Sequence, residues 1–384
     1  MALSKIDVAN MLTGLVPNDN TIRRPNSIPL IINGNMNIAQ RGTSFTHANS
    51  NNNEFPVDRF QFVLGSIGAY TSTQETLTSG AAYNAGFREA ARIDTTTAVA
   101  SPDAGDYFWF QYIMEAQDCL VFKKGTSSAE KMTVAFWVKS NKTGTGQLTV
   151  KDSDNDRQVA GTYAISSADT WEHKVINLPA DTTGAMNNDN GAGFRFEWWL
   201  GAGSSYSGGA VPTAWEARAD GDRGVSTLAI NDNTANDWAI TGVQVEVGEY
   251  SSTTLPPFQH ESFGDNLRRC ERYYYFHCSE ATNNDTDTTI VLGSYYNSGV
   301  FSATMNTPCE MRTKPTLKQN TGSNMFRIYR NNSNETLSSI TLDSGGSTNK
   351  VLKIQSTDVS GTAGQIGDLQ TMASNCFVAF DSEL

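Results

Sequence analysis

Met132-Thr-Val-Ala-Phe-Trp-Val-Lys139 and Phe194-Arg-Phe-Glu-Trp-Trp-Leu200 decide the fold. In the first, Met132, Val134, Phe136 and Val138 fall on one side of an extended chain, with Ala135, Trp137 and Lys139 on the other. In the second, Phe194, Phe196, Trp198 and Leu200 oppose Arg195, Glu197 and Trp199. A period of two is what a strand with one buried face requires, because successive side chains leave a pleated backbone in opposite directions. Working outward, Asp58-Arg-Phe-Gln-Phe-Val-Leu64 sets Phe60, Phe62 and Leu64 against Arg59 and Gln61, and Val243, Val245 and Val247 oppose Gln244 and Glu246. Further strands are predicted at 28–33, 107–114 and 171–178. Short alternating runs divided by Gly, Ser, Asn and Asp loops read as an all-β chain, with a jelly-roll β-sandwich over residues 28–261.

The flanks read differently. In residues 1–27, Leu3, Ile6, Asn10 and Leu12 allow a short amphipathic helix before Val16-Pro-Asn-Asp-Asn20 and Arg23-Arg-Pro-Asn26 break it, so this is an N-terminal arm. From Ser262, an N-cap residue ahead of Phe263, Leu267 and Cys270 predicts one short helix. It runs into the aromatic stretch 273–276, and a second, smaller C-terminal β domain completes residues 262–384. Its predicted strands are 288–295, 299–306, 325–330, 336–342 and 351–355.

Charge and hydropathy bound the function. With 28 Lys and Arg against 40 Asp and Glu, the net charge of −12 disfavours a grip on phosphate backbones, so no nucleic-acid partner is expected. No run approaches the roughly 18 apolar residues of a membrane span, so no membrane insertion is expected. Asp7, Asn10 and Thr13 interrupt the start, which lacks the continuous apolar region of a secretory signal, and folding in a cytoplasm is the expectation. Five cysteines, odd in number and without a C-x-x-C pair, read as reduced thiols.

Asp152-Ser-Asp-Asn-Asp156 opens like a calcium loop, but Arg157 stands where such a loop wants Gly and Tyr163 where it wants a bidentate Glu. It reads as a hairpin turn, and no metal or cofactor is expected. Glu197 and Glu246, both on non-core faces, are the best pair for glycoside hydrolysis, in which two acids flank the scissile bond about 5 to 9 Å apart. An acidic, strand-rich chain supplies such pairs by chance, and no H-E-x-x-H or G-x-S-x-G motif is present. No catalytic residue is assigned, and the chain reads as a non-enzyme. Trp137, Lys139, Arg195, Glu197, Trp199, Gln244 and Glu246, with Arg59 and Gln61, share the faces opposite the Phe/Val core. Indole faces beside hydrogen-bonding groups bind sugars, but such a face is equally suited to lie under a neighbouring subunit or a loop.

Several phrases, in order, resemble a module that recurs in tailed-bacteriophage virion proteins, mostly tail fibres and fibre-like structural proteins. They are Ile32-Asn-Gly-Asn-Met-Asn-Ile-Ala-Gln-Arg-Gly-Thr43, Val134-Ala-Phe-Trp-Val-Lys-Ser140, Ile240-Thr-Gly-Val-Gln-Val-Glu-Val-Gly248, Pro257-Phe-Gln-His260 and Phe263-Gly-Asp-Asn-Leu-Arg-Arg-Cys-Glu-Arg-Tyr-Tyr274. Val245 stands where the module usually has Leu, and Asp265-Asn266 where it has Glu-Glu. The resemblance implies a carbohydrate-module-like jelly roll in a virion assembled in the host cytoplasm, present as a homotrimer and touching other tail or capsid proteins and a host surface glycan. It implies no catalytic site. On this reading the arm docks on the particle through Leu3, Ile6, Leu12, Arg23 and Arg24. Two alternatives stay open: a capsid-bound decoration or head-fibre protein, and a polysaccharide depolymerase, which needs a carboxylate cleft.

Overall fold

A computed structural model of the chain describes residues 28–48, 54–279 and 288–384. These divide into two compact units, one built on Thr43–Glu261 with the described residues up to Asn37, the other on Ser262–Leu384 with Ile38–Gly42.

The first unit is a jelly-roll β-sandwich of two antiparallel sheets. The six-stranded sheet runs β1 (Ser44–Ala48), β4 (Ala69–Thr76), β5 (Glu89–Thr97), β13 (Asp237–Val247), β7 (Met132–Lys139) and β10 (Glu172–Leu178). The seven-stranded sheet runs β12 (Glu216–Ala217), β9 (Arg157–Ile165), β8 (Gly144–Asp152), β11 (Ala192–Ala202), β6 (Tyr107–Glu115), β3 (Phe60–Gly65) and β2 (Glu54–Val57). The alternation dictates what lies between them. Ile93, Phe136, Trp238 and Val245 project from one sheet and Phe60, Phe62, Phe110, Phe196 and Trp198 from the other, all fully or nearly fully buried in one cluster. The sheets interlock through rings, Trp238 against Phe110 at 5.5 Å and Phe136 against Trp198 at 5.6 Å, near the edge-on geometry aromatic pairs prefer.

One irregularity keeps β13 in phase with this core. Trp238 and Ile240 face inward, and then Val243 and Val245 do, a change of parity made by a bulge between Thr241 and Gln244. Gly242 sits in the bulge at φ 62, where a Cβ would come within 2.6 Å of the Phe87 ring, so glycine alone fits.

Two expectations fail in this unit. Residues 28–33 form bends and a turn, not a strand; their apolar run plugs the sandwich, with Ile31 and Met36 in the core and Ile32 N–H donating to the Tyr112 hydroxyl at 3.1 Å. Arg59 is no surface residue of a strand. It lies in the turn before β3 at φ 72, buried, with its guanidinium donating to the Ile113 carbonyl at 2.6 Å.

The second unit pairs a three-stranded sheet (Tyr274–Ser279, Phe377–Asp381 and Thr316–Gln319) with a seven-stranded one around Phe301, Phe326, Ile328, Leu352, Leu369 and Phe380. Its helix, Phe263–Glu271, starts where predicted, with the Ser262 hydroxyl accepting from Asp265 N–H. The helix buries Asn266 and Cys270, whereas Phe263, expected on the apolar face, is exposed. The predicted strand 336–342 is split into Ser333–Leu337 and Thr341–Leu342. All five cysteines are free thiols.

Candidate functional site

The outer face of the seven-stranded sheet follows from register. Across β3, β6, β11 and β8, one rank reads Val63, Trp109, Trp199, Gln147 and the next Gln61, Gln111, Glu197, Thr149. A third joins Ile113, Arg195 and Lys151. These are the residues left over when Phe60, Phe62, Phe108, Phe110 and Phe196 take the core side.

Most of this face is roofed by the chain itself. Residues 203–226 return over it with Arg223 as the nail: its Nη2 lies 2.8 Å from Glu197 Oε1, and its guanidinium sits 5.1 Å from the centres of both Trp109 and Trp199. The Arg223 carbonyl accepts from Gln147 and Thr149, at 2.9 and 2.7 Å. Gly224 presses flat on the Trp199 indole, where a Cβ would stand 2.5 Å from the ring. Glu197 and Trp199, read from sequence as surface groups, are therefore buried, Trp199 completely, with its Nε1 donating to Glu197 Oε2.

What the roof leaves open is an aromatic window. Tyr107, Trp109 and Tyr206 are each half-buried, with Tyr107 to Trp109 at 4.8 Å and Tyr107 to Tyr206 at 5.6 Å between ring centres. Trp109 rests on the buried Trp199 at 4.7 Å, so its orientation is fixed from below. Two amides line the window's side: Trp109 Nε1 donates to Gln111 Oε1 at 3.0 Å, and Gln111 Nε2 to Gln61 Oε1 at 2.6 Å. Of these groups the sequence reading named only Gln61. The signal for Tyr107, Trp109 and Gln111 was present, since they alternate with Phe108, Phe110 and Tyr112, whereas Tyr206 lies in a single helical turn, Ser204–Ser207, and Arg223 caps another, Asp220–Asp222, both too short to show periodicity.

The other half of the predicted constellation lies elsewhere. Trp137, Lys139, Gln244 and Glu246 belong to β7 and β13, on the outer face of the six-stranded sheet, so the sandwich core separates them from Arg195, Glu197 and Trp199. That face too is covered. Trp137 packs with Leu77, Phe87, Trp171 and Phe258 in a satellite cluster and stacks on His173 at 5.0 Å. Lys139 reaches Glu75 at 3.1 Å, and Gln244 donates to the Pro256 carbonyl at 3.0 Å and to Glu246 at 3.2 Å. Burial pushes the Glu246 carboxyl above the usual range, against the opposing pull of the Gln244 amide. Glu197 and Glu246 thus project from opposite sheets, away from a shared core, and cannot flank one bond.

Asp152 to Asp156 forms the β8–β9 turn, with Asp152 Oδ1 accepting from Asp154 and Asn155 N–H. Asp152 Oδ2 meets the ammonium of Lys124 at 2.6 Å. The same Nζ reaches Asp181 at 3.0 Å and donates to the Thr183 and Gly184 carbonyls at 2.7 and 2.9 Å. Two carboxylates and two carbonyls therefore converge on a lysine of the chain. Burial alone would raise the Asp181 carboxyl, but Arg157, the Thr183 N–H and Lys124 together hold it below the usual range. Leu3, Ile6, Leu12, Arg23 and Arg24 lie outside the described residues.

No protein-family model and no curated protein matches the sequence. Among solved structures, the chain is similar to the enzymatically active domain of tailspike protein 4 of bacteriophage CBA120, at 11% identity and a TM-score of 0.27, over 57% of this chain and 21% of that one. It is similar to a family 11 carbohydrate-binding module of a Clostridium thermocellum cellulosomal cellulase, at 6% identity and 0.27, over 53% and 96%. A family 61 module solved with β-1,4-galactotriose gives 10% and 0.26, over 58% and 99%.

Proposed function

We propose that this chain is a virion appendage protein of a tailed bacteriophage, of the tail-fibre kind, and that it touches a host surface glycan through the aromatic window around Trp109. The phrases shared with phage fibre modules support the virion role. The observation that carries glycan contact is a half-open triad of rings, Tyr107, Trp109 and Tyr206, set beside the Gln111 and Gln61 amides while the surrounding sheet face is roofed. A sugar presents C–H groups to a ring and hydroxyls to an amide, and this window offers both. The role is binding without hydrolysis, because Glu197 is tied to Arg223 and faces away from Glu246. The chain acts as a homotrimer joined to other virion proteins.

Trp109→Ala tests this. Particles carrying it should assemble with the β-sandwich folded, its melting temperature lowered only by the packing a half-buried ring loses, yet adsorb poorly to host cells and lose signal on a host-glycan array. Normal adsorption and array binding in that variant would remove the window from the mechanism. Gold-labelled antibody on purified particles separates tail from capsid placement, and sedimentation equilibrium checks the trimer.

A further inference from the structure

Beside the window, the same sheet face holds two cations where the fold itself does not favour them. β11 and β8 pair so that Arg195 stands directly opposite Lys151. Opposed side chains on one face start about 5 Å apart, and like charges so placed destabilise the pairing. The chain does little to relieve them. Arg195 Nε donates to the Ser153 hydroxyl at 3.1 Å, and among the described residues the guanidinium makes no ion pair. Glu197, two residues along, is claimed by Arg223 at 2.8 Å. Among the described residues Lys151 pairs only with Asp156, at 3.8 Å and too far for a hydrogen bond, and Arg218 Nε holds that same carboxylate at 3.1 Å. Burial first, and then the charge of Arg218, holds the Lys151 ammonium below the ordinary lysine range, and burial lowers Arg195 as well, although the Glu197 carboxylate pulls both the other way. This occurs in a chain of net charge −12, which has acidic side chains to spare.

We propose that Arg195 and Lys151 form the anion-reading end of the glycan face and take a carboxylate, phosphate or sulfate group of an acidic saccharide. The inference rests on the glycan reading above. The guanidinium fork matches a planar or tetrahedral oxyanion, and the ammonium opposite supplies the second contact, so the bound group relieves the repulsion between them. Trp109 lies opposite Trp199, four residues along β11 from Arg195, which at about 3.3 Å per residue puts roughly 13 Å between the two ends. An oligosaccharide spans that distance; a monosaccharide does not. The ligand is therefore an acidic chain with one ring on Trp109 and an anionic group some rings away.

The test is calorimetric titration of the full chain with oligogalacturonate as a carboxylate, a heparin-derived oligosaccharide as a sulfate, a phosphorylated oligomannose and a neutral xylo-oligosaccharide, each at low and high salt. Comparison across the acids identifies which anion is taken. At least one acidic oligosaccharide should bind tighter than the neutral one and weaken with salt. Arg195→Gln and Lys151→Gln, with melting curves recorded alongside, should each cost about tenfold in its affinity, the weight of one charge-assisted hydrogen bond. Trp109→Ala should abolish binding of both kinds. If acidic and neutral saccharides bind alike through Trp109 while Arg195→Gln changes nothing, the anion site is wrong and the glycan window stands. If acidic binding depends on Arg195 but survives Trp109→Ala, the window is wrong and the anion site stands. Failure of every saccharide to bind through either group overturns both.

Discussion

Replacing Lys124 with methionine removes one buried charge and strands another, since Asp152 loses its countercharge while Asp181 keeps Arg157 at 2.7 Å. The lysine side chain is 2% exposed, Asp152 0% and Asp181 5%, so water cannot take over the ammonium's place without opening the fold. Removing one partner of a buried ion pair costs about 3 to 5 kcal/mol, because the remaining charge keeps its desolvation penalty and loses its attraction. Here Asp152 loses its countercharge, Asp181 loses one of two, and the Thr183 and Gly184 carbonyls lose a donor, which places the expected loss in the upper half of that range. For a unit of this size each kcal/mol lowers the melting temperature by about 2 to 4 °C, so calorimetry should record a fall of roughly 10 to 20 °C. Restoring neutrality should recover much of it: Asp152→Asn added to Lys124→Met leaves the turn's backbone hydrogen bonds and the Arg157–Asp181 pair in place while removing the uncompensated charge. A fall below about 1 kcal/mol, the scale of an exposed pair, or a double variant no better than the single one, would refute the reasoning. Acid should act on the same place. Asp181 is held below the ordinary range, so its contribution is complete above the unfolded value near 3.9 and fades as pH falls through the lower folded one.

The remaining predictions concern core and faces. Phe196→Ala should cost about 3 to 5 kcal/mol in denaturant unfolding, against about 1 kcal/mol or less for Lys139→Ala, whose charge meets Glu75 and the Trp171 ring near the surface; equal losses would mean that the inward side of the strands is misassigned. Trp199→Ala should destabilise on the Phe196 scale, because the ring is fully buried beneath Gly224 and Arg223, and a variant with wild-type melting would show the roof to be open in solution. Glu246→Gln should raise the melting temperature at pH 7, since a carboxyl whose folded pKa is raised lowers stability as pH climbs above its ordinary value, and the difference should vanish near pH 4. A gain of the same size at both pH values would trace the effect to packing.

Much of the sandwich was legible because burying one face of a strand forces a period of two. Met132 to Lys139, Phe194 to Leu200 and Val243 to Val247 each point their expected side chains into the core, and the last does so only because Gly242 resets the phase. Parity says which residues leave the core, but not what they meet. Glu197 and Trp199 were placed on the correct face, but whether a saccharide, a subunit or a loop covers it stayed open, because the roof over them comes from a segment that begins directly after β11 and whose path no local pattern encodes. Joining Trp137 to Trp199 failed for a related reason: both lie outward, but sheet membership depends on strand pairing, and β7 pairs with β13 and β10 whereas β11 pairs with β6 and β8. At Ile28 to Asn33 a continuous apolar run was taken for a strand, when its residues serve as a plug held by a turn. Lys124 carried no signal at all; its partners Asp152 and Asp181 are distant in sequence and brought to it by two separate turns.

Both outer faces of the sandwich are largely closed by the chain itself, one by Arg223 and its segment, the other by residues around Phe87 and Phe258. A sheet left bare would offer a broad, flat contact. A roofed sheet offers only what the roof omits, and here that is a broken strip, with the Tyr107, Trp109 and Tyr206 rings at one end, Arg195 and Lys151 at the other, and Gln111 and Glu197 buried between them. Because Trp109 is braced by a buried indole and Glu197 by a buried guanidinium, the strip's shape is set before any ligand arrives, and binding need not order it. A rigid, narrow strip gains little from added area, so each saccharide contact remains weak. On the proposal that the chain forms a trimeric appendage, three such strips acting on one envelope would raise the effective concentration after the first contact, and adsorption would then depend on copies held together more than on the affinity of any one.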